Sequence, residues 1–178
     1  ENRKGEIVML DKTVAALLNY QINKEFYSAY LYLDFSNYYK DEGLDGYANW
    51  FFIQAQEERD HAILMLQYLQ NNDEQVTLEA IAKPDKEYTD LEDPLKYSLV
   101  HEQYVTSLIN NIYAAALKVN DFRTMQFLDW FVKEQGEEED NAQTNLKRYR
   151  RFGSDRKALY DLDSEMAARV YAAPSLVL

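Results

Sequence analysis

An all-α fold is predicted, a four-helix bundle with a long crossover between helices two and three and a short fifth helix at the C-terminus. Three observations predict it. Glycine and proline are scarce, five and three among 178 residues, and most of them separate long segments. Inside those segments apolar residues recur at spacings of three and four, the period of a helix with a buried face. One internal stretch of roughly 20 residues lacks that period, and a connection of such length needs a structural reason.

The first helix is expected from about Asp11 to Asp41, with Val14, Leu18, Ile22, Ala29, Tyr32 and Ser36 along one stripe. Phe26, Tyr27, Tyr30, Leu31, Leu33 and Phe35 make its other side apolar too, which implies burial on more than one side. Gly43 and Gly46 bracket a turn so short that helix two, about Asp45 to Asn72, must be an antiparallel neighbour. From about Asp73 to Asp93 the period weakens, and Pro84 and Pro94 interrupt any helix. A crossover along the full bundle makes helices two and three parallel. Helix three is expected from about Pro94, well placed at a helix start, to Val119. Helix four should run from Phe122 to about Arg151, and after Gly153 a short helix from about Arg156 to Arg169. The chain fits one domain over residues 1–178, with the bundle at about 11–151 and the terminal helix at about 156–169.

Hydrophobic residues make up 47% and charged residues 28%, the balance of a globular chain. No apolar run approaches the roughly 20 residues of a membrane span. The net charge of −12 repels nucleic acid, and the basic run Lys147-Arg148-Tyr149-Arg150-Arg151 is read as complementing a helix C-terminus. There are no cysteines, which excludes disulfides, thiolate metal sites and a cysteine nucleophile. Residues Glu1–Gly5 lack an initiator Met and an apolar signal core, so no secretory peptide is expected, and the protein is read as cytoplasmic.

Against this background several polar residues stand where the apolar stripes call for core. On helix one Glu25 lies between Ile22 and Ala29; on helix two Glu58 and His61 continue Trp50, Gln54, Met65 and Tyr68. On helix three Glu102 interrupts Leu95, Leu99, Val105 and Ile109; on helix four Gln135 and Glu138 lie between Phe131 and Ala142. A lone buried carboxylate costs several kcal/mol if charged and unpaired. Each residue taken alone reads as an ordinary surface or satisfied polar group. Together, near the middle of four helices of one bundle, they read as a metal site. Carboxylate-rich, imidazole-poor, thiolate-free donors suit iron or manganese. The symmetric di-iron pattern takes a Glu from each of two helices and a Glu-x-x-His from each of the others. Here helix two supplies Glu58-x-x-His61, but helix four supplies Gln135-x-x-Glu138. Gly136, mid-helix, is read as a point of close packing, with room for a further metal site as the alternative.

At this point the chain resembles the ferritins, and more closely the non-haem prokaryotic type. The resemblance covers nearly the whole chain: Glu25-Phe26-Tyr27-Ser28-Ala29-Tyr30-Leu31-Tyr32, Ala55-Gln56-Glu57-Glu58-Arg59-Asp60-His61, His101-Glu102-Gln103, Phe127-Leu128-Asp129-Trp130-Phe131-Val132-Lys133-Glu134-Gln135, and the ending Leu162-Asp163-Ser164-Glu165. Bacterioferritins and rubrerythrins usually keep a second Glu-x-x-His, so Gln135 and Glu138 set the chain apart from them. The resemblance implies a ferroxidase that oxidises Fe(II) with O₂ or H₂O₂ and stores Fe(III) mineral in a homo-24-mer cage. It implies two irons per subunit, one held by Glu25, Glu58 and His61, the other by Glu58 and Glu102 with Glu138 as a further ligand and Gln135 close by. It also implies a third, weaker site of Glu57, Glu134 and Glu137. Tyr32, two turns beyond Glu25 on the same face, takes the family's role of hydrogen-bonding and redox partner. The alternatives are a ferritin-like di-iron oxidase or peroxidase of small oligomeric state, and a non-catalytic helical scaffold. Where animal ferritins carry an acidic pair at the threefold pore, this chain has Met125 and Leu128. Fifteen tyrosines and the second apolar side of helix one are further signs of large subunit interfaces.

Overall fold

The computed structural model describes residues 10–178, so the expectation for the amino terminus lies outside the described residues. Five helices follow in order: α1 (Lys12–Asp41), α2 (Asp45–Asn71), α3 (Asp93–Lys118), α4 (Phe122–Phe152) and α5 (Arg156–Ala167). Three of them begin at an aspartate whose carboxylate accepts from the otherwise unpaired amides of the first turn. Asp11 takes Thr13 N at 2.8 Å and Val14 N at 3.2 Å. Asp121 takes Thr124 N at 3.0 Å, and Asp155 takes Ala158 N at 2.8 Å. The turn after α1 passes through Gly43 in the left-handed region, φ 75°, where a side chain would be strained. At the start of α3 the Asp93 carboxylate pairs with Lys96 at 2.7 Å and accepts from the Thr89 and Asp90 amides, which holds it well below the usual carboxylate range.

Side-chain contacts fix the helix directions. Gln54 meets Glu138 and Tyr68 meets Thr124, so α2 and α4 run antiparallel. Tyr32 meets Glu102 while Tyr39 reaches Leu91, just before α3, so α1 and α3 are antiparallel as well. With α1 and α2 joined by a tight turn, α2 and α3 are parallel, as the crossover requires. That crossover is pinned along the length of α1. Asn19 donates to Gln75 O at 3.1 Å and accepts from Thr77 N at 2.8 Å, and Asn23 donates to Ala80 O at 3.1 Å. Further on, Tyr88 donates to Asp34, and Tyr39 donates to Leu91 O at 2.7 Å.

The apolar core is in two parts. One gathers Val14, Leu18, Ile22, Met65, Leu69, Ile109, Ile112 and Leu128. The other gathers Leu31, Phe35, Tyr39, Phe51, Leu95, Leu146, Leu162 and Met166. Along each of the four long helices the polar residues singled out above fall between these two sets. On α1, Leu31 and Phe35 are core, whereas Tyr30 and Leu33 remain exposed and Phe26 and Tyr27 half-buried. Leu128 is fully buried and Met125 packs on the same cluster, so neither offers a pore lining within the subunit. No helix among the described residues is long and apolar enough to cross a membrane.

The fifth helix ends at Ala167, two residues earlier than expected, and Arg169 leaves it for a contact described below. It is held on α2 by Leu162 and Met166 and by Asp163, which accepts from Tyr47 N at 2.9 Å. Gly46 is not a turn glycine but lies in the first turn of α2, where an added Cβ would overlap the Asp163 carbonyl oxygen. Gly136 differs from its expectation in the opposite sense: an added Cβ there meets nothing within 4 Å in the subunit. The basic run near the end of α4 does more than complement a dipole, since Arg148 pairs with Glu165 of α5 and Arg150 with Glu92.

The close approach at Gly46 generates a stability prediction. Gly46→Ala should lose about 1–3 kcal/mol, a fall of several degrees in Tm, because α5 must move off α2. Limited proteolysis near Gly153 should accelerate with it. An unchanged Tm would show that α5 has slack at this contact.

Candidate metal centre

Five side chains from four helices meet in the belt between the two apolar cores. Donor atoms of Glu25, Glu58 and His61 lie within 4.8 Å of one another, and so do those of Glu58, Glu102 and Glu138. All five residues are buried. Glu58 belongs to both groups, so the two sites share a carboxylate. The i, i+3 spacing on α2 explains the first pairing: His61 Nδ1 lies 3.3 Å from Glu58 Oε2 and 3.8 Å from Glu25 Oε2. Its ring is held on edge by Trp130 and Phe131, with centroids 5.5 and 5.8 Å away.

Amides and a phenol orient the carboxylates. Gln21 donates to Glu25 Oε1 at 2.8 Å, which leaves Glu25 Oε2 buried with no hydrogen-bond partner. Gln54 donates at 2.9 Å to Glu58 Oε1 and at 2.8 Å to Glu138 Oε2. Tyr32 donates to Glu102 Oε1, and Gln135 donates to Glu102 Oε2 at 3.1 Å and to Thr106 Oγ1 at 3.2 Å. Gln135 is therefore engaged with Glu102 through its amide nitrogen. Burial, reinforced by Glu102 and Glu58, raises the Tyr32 phenol well above its ordinary value, so it stays a proton donor.

Electrostatics set the character of the belt. Burial raises Glu58, with His61 opposing and Glu25 adding to the rise, and its pKa stands at about 7. Burial and Glu58 raise Glu138 to about 8. Burial, Glu58 and Glu138 raise Glu102 well above the carboxylate range. Burial disfavours the charge of His61, but Glu58 and Glu25 outweigh it and raise the imidazole well above 6.5. Burial likewise works against the Glu25 carboxylate, but His61 more than offsets it and lowers the pKa. Mutual repulsion among the carboxylates and the unpaired Glu25 oxygen are the marks of a site shaped for cations. Four carboxylates balance the charge of two divalent ions. Oxygen donors with a single imidazole fit iron or manganese.

Glu57, Glu134 and Glu137 do not bring ligand atoms within 4.8 Å of one another, although Glu137 and Glu57 lie near enough to Glu134 to help raise its pKa. Glu57 pairs with Arg169 at 2.6 Å, and Glu137, exposed, lies 3.8 Å from Lys133. Glu134 is 3.9 Å from His61 Nε2, on the far side of the ring from Glu58. Sequence reasoning left out Gln21 and Gln54 as site residues, although each stands four before a site glutamate, the spacing of one helical face. His101, quoted only within the motif His101-Glu102-Gln103, was given no role. That imidazole contacts Ser28 Oγ at 2.7 Å, and since Ser28 donates to Lys24 O, Nε2 of His101 carries the proton. Burial lowers its pKa to about 4 and keeps it neutral.

Comparison with known proteins agrees with this geometry. The family described as a ferritin-like domain matches residues 15–152. A bacterial non-heme ferritin of Staphylococcus epidermidis is 36% identical over 163 residues, 92% of this chain and 98% of the relative. The bacterial non-heme ferritin of Campylobacter jejuni is 37% identical over 155 residues, 87% of this chain and 93% of its own. Among solved structures, the open pore ferritin of the archaeon Archaeoglobus fulgidus superposes with a TM-score of 0.89 at 36% identity, covering 92% of this chain and all of that one.

The raised carboxyls and imidazole imply a pH dependence of defined sign. Each binds its proton more tightly when folded, so its contribution to stability is complete below its ordinary value, about 4.5 for the carboxyls and about 6.5 for the imidazole. It is lost as pH rises through the folded values of about 7 and about 8 for Glu58 and Glu138. The metal-free protein should therefore lose Tm between pH 5 and pH 8.5, Glu138→Gln should flatten that slope, and saturating divalent metal should reverse it. A metal-free Tm that rises over this interval contradicts the electrostatic account.

Proposed function

The chain belongs to the ferritin family, and from that premise we propose how its buried belt works. It is a ferroxidase and iron-storage protein. Fe(II) is its substrate, taken up at two positions, one facing Glu25, Glu58 and His61, the other facing Glu58, Glu102 and Glu138. The observation that carries this assignment is the sharing of Glu58 between two buried triads. Two Fe(II) ions held side by side supply two electrons to one O₂, which with two protons becomes H₂O₂ and avoids the release of superoxide. H₂O₂ in place of O₂ accepts the same two electrons and yields water.

Each side chain has a task in this reading. The anionic oxygens favour the more highly charged Fe(III), which eases oxidation. His61 serves the first position alone, so the second binds less firmly and its oxidised iron is the freer to leave for storage. Gln135 and Tyr32 grip opposite oxygens of Glu102 and hold it against Glu58. Tyr32 keeps its proton and donates that hydrogen to Glu102, fixing the orientation of the carboxylate. A third position of Glu57, Glu134 and Glu137 requires Arg169 to release Glu57.

Storage needs a closed shell, and the proposed form is a homo-24-mer. Its support within the subunit is an apolar groove of about 430 Å³ on the outer face of α1 and α2, lined by Phe26, Tyr30, Leu33, Phe52 and Ile81, which suits a second copy. With Met125 and Leu128 at the positions of the animal acidic pair, an animal-type pore would lack its carboxylates there. An open pore, as named for the archaeal relative, is the favoured route.

Aerobic addition of Fe(II) tests the reading. The wild-type protein should elute as a large shell and retain iron far beyond two ions per chain. Glu58→Gln and His61→Ala should fold and assemble yet oxidise Fe(II) at least about tenfold more slowly. A small oligomer that turns over iron without retaining it would favour the oxidase or peroxidase alternative. Unchanged oxidation in both variants would remove the shared-carboxylate assignment.

A further inference from the structure

We propose that Arg169, in the segment after α5, is a positioning residue of the metal centre, acting through Gln54 on Glu58 and Glu138. The inference rests on the reading of those two carboxylates as iron-binding groups. Arg169 leaves the helix end, with its own carbonyl taking Asn49 Nδ2 at 3.1 Å. Its guanidinium lies over the Trp50 ring, 4.1 Å from the centroid. Nη1 donates to Trp50 O at 3.1 Å and to Gln54 Oε1 at 2.9 Å, while Nη2 donates to Glu57 Oε2 at 2.6 Å. The side chain is only 15% exposed, so these contacts are sheltered from water.

The chemistry of the donor decides the rest. A guanidinium can only donate, so the Gln54 atom facing it must be the carbonyl oxygen. The amide nitrogen then faces inward, where it donates to Glu58 Oε1 at 2.9 Å and Glu138 Oε2 at 2.8 Å. Without Arg169 the amide is free to turn over, and the turned amide sets a carbonyl oxygen against two carboxylates. Arg169 thus holds the one orientation in which a single glutamine grips both. Its charge is directed to Glu57, outside both triads, so its influence on the centre passes through orientation. Glu58 and Glu138 are two corners of the second triad, whereas only Glu58 belongs to the first. The second position should therefore depend more on Arg169 than the first.

The test uses the full assembled protein with Co(II), a redox-stable divalent probe, followed by absorption and calorimetry, and Fe(II) oxidation in parallel. Arg169→Met, which keeps an apolar cover on Trp50, should weaken the weaker Co(II) step by about tenfold and leave the tighter step nearly unchanged. It should raise the Fe(II) concentration for half-maximal oxidation more than it lowers the saturated rate. Gln54→Met should do the same, and the double variant should be no worse than Gln54→Met alone, because both act along one path. Arg169→Lys, which keeps a donor, should recover part of the loss. Additive effects in the double variant would overturn the inference. So would an Arg169→Met protein that loses Tm or assembly while binding Co(II) normally, since that is the behaviour of a mere anchor for α5. Absence of two Co(II) steps in the wild type would overturn the proposed function and this inference with it. Two normal wild-type steps unaffected by Arg169→Met would overturn this inference alone.

Discussion

Repulsion among buried carboxylates is the constraint on which the rest of this protein depends. Glu58, Glu102 and Glu138 bring ligand oxygens within 4.8 Å of one another in a bundle interior, with Glu25 reaching the same region from α1. Burial there raises the proton affinity of three of them, and His61 answers only part of the charge. Such an arrangement is unfavourable for folding unless protons or cations fill it. A bundle that keeps it trades stability for a place where cations bind.

The surrounding architecture contains that stress. Apolar cores lie on either side of the polar belt, so each long helix is anchored at both ends by Leu, Ile, Phe and Tyr side chains while its middle carries charge. Aspartate caps secure α1, α4 and α5, and the crossover is fastened to α1 at Asn19, Asn23, Asp34 and Tyr39. Inside the belt, Gln21, Gln54, Gln135 and Tyr32 spend their hydrogens on carboxylate oxygens and leave others bare. The unpaired Glu25 oxygen is the clearest of these. Rigid donors on one side and open oxygens on the other are what a preorganised metal site requires.

The helices were legible in the sequence because a period of three to four apolar residues has few other physical solutions, and their ends came within two residues of expectation. Glu25, Glu58, His61, Glu102 and Glu138 were conspicuous for a related reason: a charged group at core register is costly and needs a partner. Spacing was a poorer guide where the outcome depended on competition between side chains. Glu57 and Glu137 stand at suitable intervals, but Arg169 and Lys133 are the neighbours they meet. Gly46 had the look of a turn residue and proved to be the point where α5 presses on α2. Gly136 had the look of a packing residue and faces open space within the subunit.

The sequence alone determined a helical bundle with a lengthwise crossover, and it determined which carboxylates would be drawn inside. Both follow from local periodicity, which a linear text records in full. Tertiary structure alone decided that Gln54 grips both Glu58 and Glu138, that Gln135 turns to Glu102, and that Arg169 reaches Gln54 across 115 positions of chain. Those outcomes depend on distances of a few ångströms between segments with no sequence relation. Hydrogen-bond direction and carboxylate repulsion act only once the helices have packed.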